Sequence, residues 1–148
     1  MGATSKSMLW RLTSLLLIAA LLAIATYRVS RSDDATPAPV ETWYAALKAA
    51  DADAFAKLLA PGATIELRDL SITQTREEFL GSLDEWANAN KDADITATLE
   101  KLDGQTVTMK VCYKFPSNEL LEREVFTLSG EQIVSSVQEQ ISESCGNE

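Results

Sequence analysis

The sequence predicts an α+β fold, with an N-terminal transmembrane helix followed by three helices packed on an antiparallel sheet. Three observations predict it. An apolar run without charge covers the sixteen residues 12–27. Apolar residues then recur at helical spacing over 40–89, and they alternate with polar residues over 94–141. The chain therefore divides into a transmembrane anchor or signal segment at 1–29, a linker at 30–39, one domain at 40–142 and a tail at 143–148.

The N-terminal segment is long enough to cross a bilayer. From Met8 to Tyr27, a helix rising about 1.5 Å per residue approaches the roughly 30 Å hydrocarbon core. A cleaved signal peptide is the alternative, because Lys6 and Arg11 flank the start of the apolar run and small residues at 23–25 fit a cleavage site. A buried core helix is the third interpretation. The first two place the domain outside the cytoplasm.

We therefore expect a single-pass protein of the inner (cell) membrane with its domain on the periplasmic side. Basic residues flank the apolar segment equally on both sides, so charge does not set its orientation.

The domain is strongly acidic. The chain of 148 residues has 13 basic and 22 acidic residues and a formal net charge of −9. Four of the basic residues and none of the acidic ones lie in 1–31, so the remainder carries −13. Such a charge favours solubility and repels phosphate backbones and anionic lipid headgroups, so nucleic acid is not an expected partner.

The composition also restricts the chemistry. The chain has no histidine, which excludes Ser-His and Cys-His nucleophiles and removes the commonest zinc ligand. Its six glycines are scattered and form neither a dinucleotide-binding fingerprint nor a phosphate-binding loop. We therefore predict no metal site and no cofactor, and any catalysis would depend on carboxylates, Tyr, Lys or Arg.

Cys112 and Cys145 are the only cysteines of the chain. In an oxidising compartment they are expected to form one disulfide that ties the tail to the sheet. The alternative is a buried Cys112 and an unpaired thiol in the tail.

The sequence of the first half of the domain predicts two helices and a strand. Val40, Trp43 and Leu47 lie on one helical stripe, and Asp51 occupies the N-cap position of a second helix. The residues "APG" at 60–62 end that helix, and "ATIEL" is a short strand.

A loop at 69–74 and a third helix at 75–89 follow. Thr75 and Glu78 have the spacing of a capping box, and Phe79, Leu83 and Trp86 form a helical stripe. Four strands then alternate with turn residues at 103–104, 116–118 and 129–130, which predicts an antiparallel meander. The predicted strands cover 94–102, 105–115, 119–128 and 131–141.

The segments "WYAALKAADADAFAKLLAPGATIEL" at 43–67 and "TREEFLGSL" at 75–83 resemble the opening helices and strand of the nuclear transport factor 2-like superfamily. The resemblance extends over about Val40 to Ser142. It implies a cone in which a curved antiparallel sheet wraps the helices. It also implies either an enzyme, such as a ketosteroid isomerase, polyketide cyclase or dehydratase, or a non-catalytic binding module.

The resemblance to ketosteroid isomerases is incomplete at the catalytic positions. Their first-helix tyrosine falls on Trp43, with Tyr44 one place along, their base falls on Leu67, and their protonated acid falls near Glu124. Two of the three roles are absent, so this isomerisation is not expected. Dehydratases of the family that use histidine are excluded.

Other carboxylates are candidate catalytic groups. Glu66 and Arg68 share one face of the first strand, where Glu66 could act as a base and Arg68 could hold an anionic oxygen. The alternative is a surface ion pair worth about 0 to 1 kcal/mol.

For Glu122 and Glu124, the register of the hairpin around 115–118 decides whether the side chains face solvent or point inward. Opposite Lys110, Glu124 faces solvent; opposite Met109, it points inward and has a raised pKa. The four-residue turn does not choose between the two registers.

Seven further residues are predicted either to line a ligand pocket or to fill the core, because a pocket in this fold is the unfilled part of the core. They are Trp43, Tyr44, Phe55, Phe79, Trp86, Met109 and Tyr113.

From these observations we predict a membrane-anchored, extracytoplasmic, non-catalytic domain that binds a small apolar ligand or a partner protein. The resemblance implies a homodimer formed through the outer face of the sheet. The alternative is a cofactor-independent isomerase, cyclase or lyase acting on a hydrophobic small molecule, with Glu66 or Glu124 as base and Tyr44 or Tyr113 as proton donor. A third interpretation is a structural piece of an envelope complex, whose charge attracts a basic partner.

Overall fold

The computed structural model describes residues 35–146, which contain four α-helices, one 3-10 turn and six β-strands. The helices are α1 (Ala38–Ala49), α2 (Ala52–Leu58), α3 (Arg76–Gly81) and α4 (Leu83–Ala89), and the 3-10 turn is Arg68–Leu70. The strands are β1 (Leu59–Leu67), β2 (Ile72–Thr75), β3 (Asp94–Asp103), β4 (Thr106–Lys114), β5 (Glu119–Ser129) and β6 (Gln132–Ser142).

The predicted anchor or signal segment at 1–29 lies outside the described residues. Within 35–146, no helix is both long enough and apolar enough to cross a membrane.

Side chains fix both ends of α2. Asp51 is its N-cap, as predicted, and its Oδ1 accepts a hydrogen bond of 2.9 Å from the backbone N–H of Ala54. At the other end, the guanidinium of Arg76 donates to the carbonyl oxygens of Ala56 and Leu59 at 2.7 and 3.3 Å. These bonds satisfy acceptors that the end of a helix leaves unpaired.

The second helix ends directly before the predicted stop at 60–62, but the strand begins earlier than the predicted 63–67. The helix ends at Leu58, and residues 60–62 already belong to β1. Pairing of β1 is irregular in this stretch, since its register against β6 shifts between Leu59 and Thr64. Pro61 lies there and has no N–H to donate to a ladder of hydrogen bonds.

The third helix begins where the sequence predicts. Thr75 and Glu78 form the capping box, in which the Thr75 N–H donates to Glu78 Oε2 at 2.7 Å.

The predicted continuous helix over 75–89 is wrong, because it breaks into α3 and α4 at Ser82, where φ is −100° and ψ is 6°. The Oγ of Ser82 donates to the carbonyl of Phe79 at 3.0 Å and accepts from the side-chain amide of Gln74 at 3.1 Å. A serine following a glycine and bonding back to the helix is a recognised cause of such breaks.

The sheet is mixed, with strand order β2-β1-β6-β5-β4-β3. Strands β3 to β6 form the predicted antiparallel meander, but β1 and β6 are parallel neighbours. The prediction of a wholly antiparallel sheet is therefore wrong. The predicted loop at 69–74 is also partly a strand, because β2 pairs antiparallel with β1 and places Thr75 opposite Thr64. Short edge strands carry little periodicity from which to predict them.

Two of the three hairpins of the β3–β6 meander turn at glycines. Gly104 and Gly130 have φ of 59° and 61°, a region that suits residues without a side chain. The β4–β5 hairpin has a four-residue loop, closed by a 2.8 Å bond from the Phe115 N–H to the carbonyl of Asn118.

An aromatic cluster around Trp43 joins the helices to the sheet. The ring centroids of Phe55, Phe79 and Phe126 lie 5.1, 5.4 and 5.4 Å from that of Trp43. All four side chains are fully buried and come from α1, α2, α3 and β5. Burying one large apolar side chain contributes about 1.5 to 3 kcal/mol, so this cluster stabilises the contact between the layers. We call the sheet face that carries Phe126 the inner face and the opposite face the outer face.

Cys112 on β4 and Cys145 in the tail form a disulfide, with their Cα atoms 5.6 Å apart. The tail is also held by a 3.0 Å bond from the Cys145 N–H to Glu119 Oε2. The side chain of Cys112 lies on the outer face, because Val111 and Tyr113 on either side of it are buried on the inner face.

Reduction of this disulfide is expected to lower the free energy of unfolding by about 2 to 4 kcal/mol, because an intact bond restricts the unfolded chain. Urea unfolding of the full chain, with and without a thiol reductant, measures the difference. The Cys112→Ser/Cys145→Ser double variant should have the same free energy of unfolding as the reduced protein, and the reductant should not change it. A double variant as stable as the oxidised protein would contradict the expectation.

Candidate functional site

The candidate site is built on the inner face of β5. The hairpin places Glu124 opposite Met109 and Glu122 opposite Val111, so the inward register is the one adopted. It also buries Phe126 and turns Arg123 outward, where Arg123 bonds Glu100 on β3 at 3.0 Å. The register with Lys110 opposite Glu124 would expose Phe126, which explains why it is not found.

Two tyrosines hydrogen-bond the side chain of Glu124, which is 0% exposed. The hydroxyl of Tyr113 on β4 donates to Oε1 at 2.6 Å, and the hydroxyl of Tyr44 on α1 donates to Oε2 at 2.9 Å. Each carboxyl oxygen therefore has a partner from a different layer of the fold.

The environment raises the pKa of all three groups. Burial raises the pKa of Glu124 to about 7, although the hydrogen bonds from Tyr113 and Tyr44 act in the opposite direction. Burial, followed by the nearby charge of Glu124, raises the pKa of both tyrosines well above the ordinary value of 10. The hydroxyls therefore stay protonated, while Glu124 titrates near neutrality.

A cavity of about 350 Å³ lies next to these residues, between the inner face of the sheet and α4. Most of its wall is apolar, from Leu67, Leu70, Ile72, Trp86, Ala89, Phe115 and Leu120 together with the ring of Tyr113. The polar residues of its wall are Gln74, Ser82, Glu85, Asn90, Glu122 and Gln138.

Glu122 is the half-buried carboxyl of this cavity. Among the described residues, it accepts no hydrogen bond and forms no ion pair. Burial, then the charges of Glu124 and Asp69, raise its pKa to about 7. An unpaired carboxyl that titrates near neutral pH in an apolar cavity is a typical feature of a functional site.

Two glutamines of the cavity wall hold buried polar atoms without partners. The Nε2 of Gln138, whose residue is only 4% exposed, bonds no other described atom. The same is true of Oε1 of Gln74, although its Nε2 bonds Ser82. Buried polar atoms are normally paired, so these two depart from the usual pattern in the wall of the cavity.

The structure brings only part of the predicted pocket together. Of the seven predicted residues, Trp86 and Tyr113 line the cavity. The other five lie behind its wall in the buried core: Trp43, Tyr44, Phe55, Phe79 and Met109.

Glu66 and Arg68 lie away from the cavity. Glu66 is on the outer face of β1, since its neighbours Ile65 and Leu67 point inward. Arg68 bonds Glu66 at 3.2 Å and Glu139 at 3.4 Å, and all three side chains are well exposed. The arrangement is a surface ion-pair cluster.

The sequence interpretation considered Glu122 only through the hairpin register that it shares with Glu124, and it included neither Glu122 nor Gln138 among the site residues. Glu122 could have been found, because it shares its strand face with Glu124. Gln138 could not, because a register shift between Thr127 and Leu128 in the β5–β6 ladder reverses the alternation along β6. Within 35–146, no group of three acidic or cysteine side chains is placed to hold a metal ion.

Stability is expected to fall as pH rises through neutrality. Between its usual pKa of 4.5 and the folded value of about 7, Glu124 holds a proton in the folded state that the unfolded state has lost. Unfolding free energy should therefore decrease from about pH 5 to about pH 8. Glu124→Gln keeps two hydrogen-bonding atoms but does not titrate, so it should lose less stability than the parent over this range, by roughly 2 to 3 kcal/mol.

Urea unfolding at the two pH values measures the effect. Glu131→Gln, at an exposed position remote from the cavity, is the matched control and should follow the parent. An unchanged pH dependence in Glu124→Gln would contradict the assignment.

No family model matches the chain. No curated protein matches it either.

Solved structures do match. A candidate ketosteroid isomerase from Kribbella flavida aligns with a TM-score of 0.62 and 19% identity, covering 75% of this chain and 81% of its own. A protein with a ketosteroid isomerase-like fold from Catenulispora acidiphila, solved in complex with trimethylamine, aligns with a TM-score of 0.57 and 22% identity, covering 74% and 90%. A nuclear transport factor 2-like protein from Burkholderia xenovorans aligns with a TM-score of 0.60 and 12% identity, covering 74% and 84%. The chain therefore has the nuclear transport factor 2-like fold that the resemblance of its sequence predicts.

Proposed function

We propose that this chain is a membrane-anchored, extracytoplasmic domain that binds a small, largely apolar molecule in the cavity beside Glu122. The single observation that carries the proposal is the cavity. Its volume of about 350 Å³ falls within the range of small-molecule sites, and its wall combines an apolar surface with a few polar groups.

Binding without turnover is favoured by the placement of the candidate catalytic groups. Glu124 is fully buried behind the wall, and both of its oxygens are engaged by tyrosines. Glu66 is on the opposite face of the sheet, paired with Arg68. A general base must come within hydrogen-bond reach of the proton that it removes, and neither carboxyl meets this requirement for a molecule in the cavity.

The proposed location rests on the apolar segment before the domain and is supported by the disulfide. Residues 8–27 have the length and composition of a membrane-spanning helix. Disulfides persist in oxidising compartments outside the cytoplasm, and Cys112 and Cys145 form one. The same proposal includes a homodimer formed through the outer face, which the fold resemblance implies. A partner protein is the alternative to a small ligand.

A second candidate function is proton transfer by Glu122 on a hydrophobic substrate, as in a cofactor-independent isomerase, cyclase or lyase. The observation that favours it is an unpaired carboxyl with a pKa of about 7 at the cavity wall, next to Tyr113.

Filling the cavity is expected to weaken binding. Ala89 lines the cavity and Asn88, its neighbour on α4, does not. Ala89→Trp should therefore weaken the binding of 2-tetralone, a neutral bicyclic ketone, by about tenfold or more, whereas Asn88→Trp should leave it unchanged. Ligand-observed NMR on the full chain, reading the aromatic protons of 2-tetralone, measures the affinity. Failure of the parent to bind, or equal loss in both variants, would overturn the proposal.

The same probe separates binding from catalysis. If Glu122 transfers protons, the α-protons of 2-tetralone should exchange with deuterium faster than in buffer, with a rate that rises through about pH 7 and is lost in Glu122→Gln. The binding proposal expects exchange at the rate of the buffer alone. Exchange that depends on Glu122 would make the second candidate the function.

A further inference from the structure

We propose that the natural ligand of the cavity is a hydrophobic organic cation, a protonated amine on an apolar body, whose ammonium group is held by Glu122. This inference rests on the proposed function of the cavity and specifies the chemical class of its ligand.

The first argument is the charge of the wall. Among the described residues that line the cavity, two are acidic, Glu85 and Glu122, and none is Lys or Arg. Asp69 and Glu124 lie close enough behind the wall to act on Glu122 electrostatically. An anionic ligand would meet only like charge at this wall, whereas a cation would neutralise it.

The second argument is the geometry around Glu122. On the inner face, Tyr113 lies diagonally across from Glu122 on β4, and Gln138 lies diagonally across on β6. All three line the cavity. The hydroxyl oxygen of Tyr113, whose hydrogen goes to Glu124, keeps a lone pair free to accept. An ammonium group with up to three N–H donors is suited to such acceptors.

The third argument is the buried amide of Gln138. Its side chain is more than nine-tenths buried, lines the cavity, and has an Nε2 atom without a partner. No described residue donates a hydrogen bond to its Oε1, which is not among the fully buried unpartnered atoms and can therefore accept from an ammonium in the cavity.

The apolar remainder of the wall suits the body of such a ligand. Trp86, Tyr113 and Phe115 line the cavity, and aromatic rings attract cations as well as apolar groups. Leu70 and Ile72, which are 65% and 42% exposed, extend the apolar surface from the wall to solvent.

The test compares three probes that share one bicyclic skeleton: 2-aminotetralin, 2-tetralol and tetralin-2-carboxylic acid. Isothermal titration calorimetry on the full 148-residue chain measures their affinities at about pH 8. The amine is expected to bind about tenfold or more tighter than the alcohol, and the acid more weakly than either.

Glu122→Gln should remove about tenfold or more of the affinity for the amine, and change that for the alcohol little, because the amide keeps the shape of the side chain. Glu131→Gln, which removes the same charge at an exposed position outside the cavity, should change neither. Thermal unfolding of each variant distinguishes a loss of binding from a loss of folding.

Affinity for the amine should also depend on pH. The cation needs an ionised Glu122, whose pKa is about 7, so affinity should rise by about tenfold from about pH 6 to about pH 8. A ligand that accepts a hydrogen bond from protonated Glu122 would show the opposite trend. The titratable groups that face Glu122 or share its cavity are Tyr44, Asp69, Glu85, Tyr113 and Glu124.

The outcomes separate the two proposals. If the alcohol binds as tightly as the amine and Glu122→Gln has no effect, the inference about the cation is wrong and the binding function stands. If none of the three probes binds, and 2-tetralone does not bind either, both are wrong.

Discussion

The register between β4 and β5 is the constraint on which both the core and the candidate site depend. Side chains of a strand alternate between its faces, so the burial of Phe126 against the helices also brings Glu122 and Glu124 to the inner face. A shift by one residue would return both carboxyls to solvent, but it would expose Phe126 and Leu128 in exchange. The hydrophobic effect acting on two apolar residues therefore holds two acidic residues in the interior, and the chemistry of the cavity follows from the packing of the core.

The hydrogen bonds of Glu124 connect that packing to the shape of the cavity. An apolar residue at this position would avoid the desolvation of a carboxyl group, but it would leave the buried hydroxyls of Tyr44 and Tyr113 without an acceptor. With both hydroxyls bound to it, Glu124 fixes the orientation of a ring from α1 and a ring from β4. The ring of Tyr113 is part of the cavity wall. A carboxyl that does not line the cavity thus positions a group that does.

Elements held by local bonds could be predicted from the sequence, and those held by distant pairing could not. The N-cap at Asp51 and the turn at Gly104 depend on residues within a few positions of each other. The parallel pairing of β1 with β6 joins opposite ends of the domain, and no local pattern specifies it. Apolar alternation along β6 predicts that Val137 faces the core, but the register shift turns Gln138 inward instead. The inward orientation of Glu124 could be considered from the sequence, because it depends on one hairpin. The wall around Glu122 could not be predicted, because distant strands and helices form it.

The disulfide to the tail makes the two ends of the outer face different. Cys145 and Gly146 lie near Cys112, beside Thr96, Lys110 and Leu121 of the outer face. Toward the hairpin at Gly104, the described tail leaves the strands uncovered. A protein that packs on this face would meet regular strands at one end and a covalently fixed protrusion at the other. On such a surface the tail would allow one orientation of the incoming protein and obstruct the orientation turned by half a rotation.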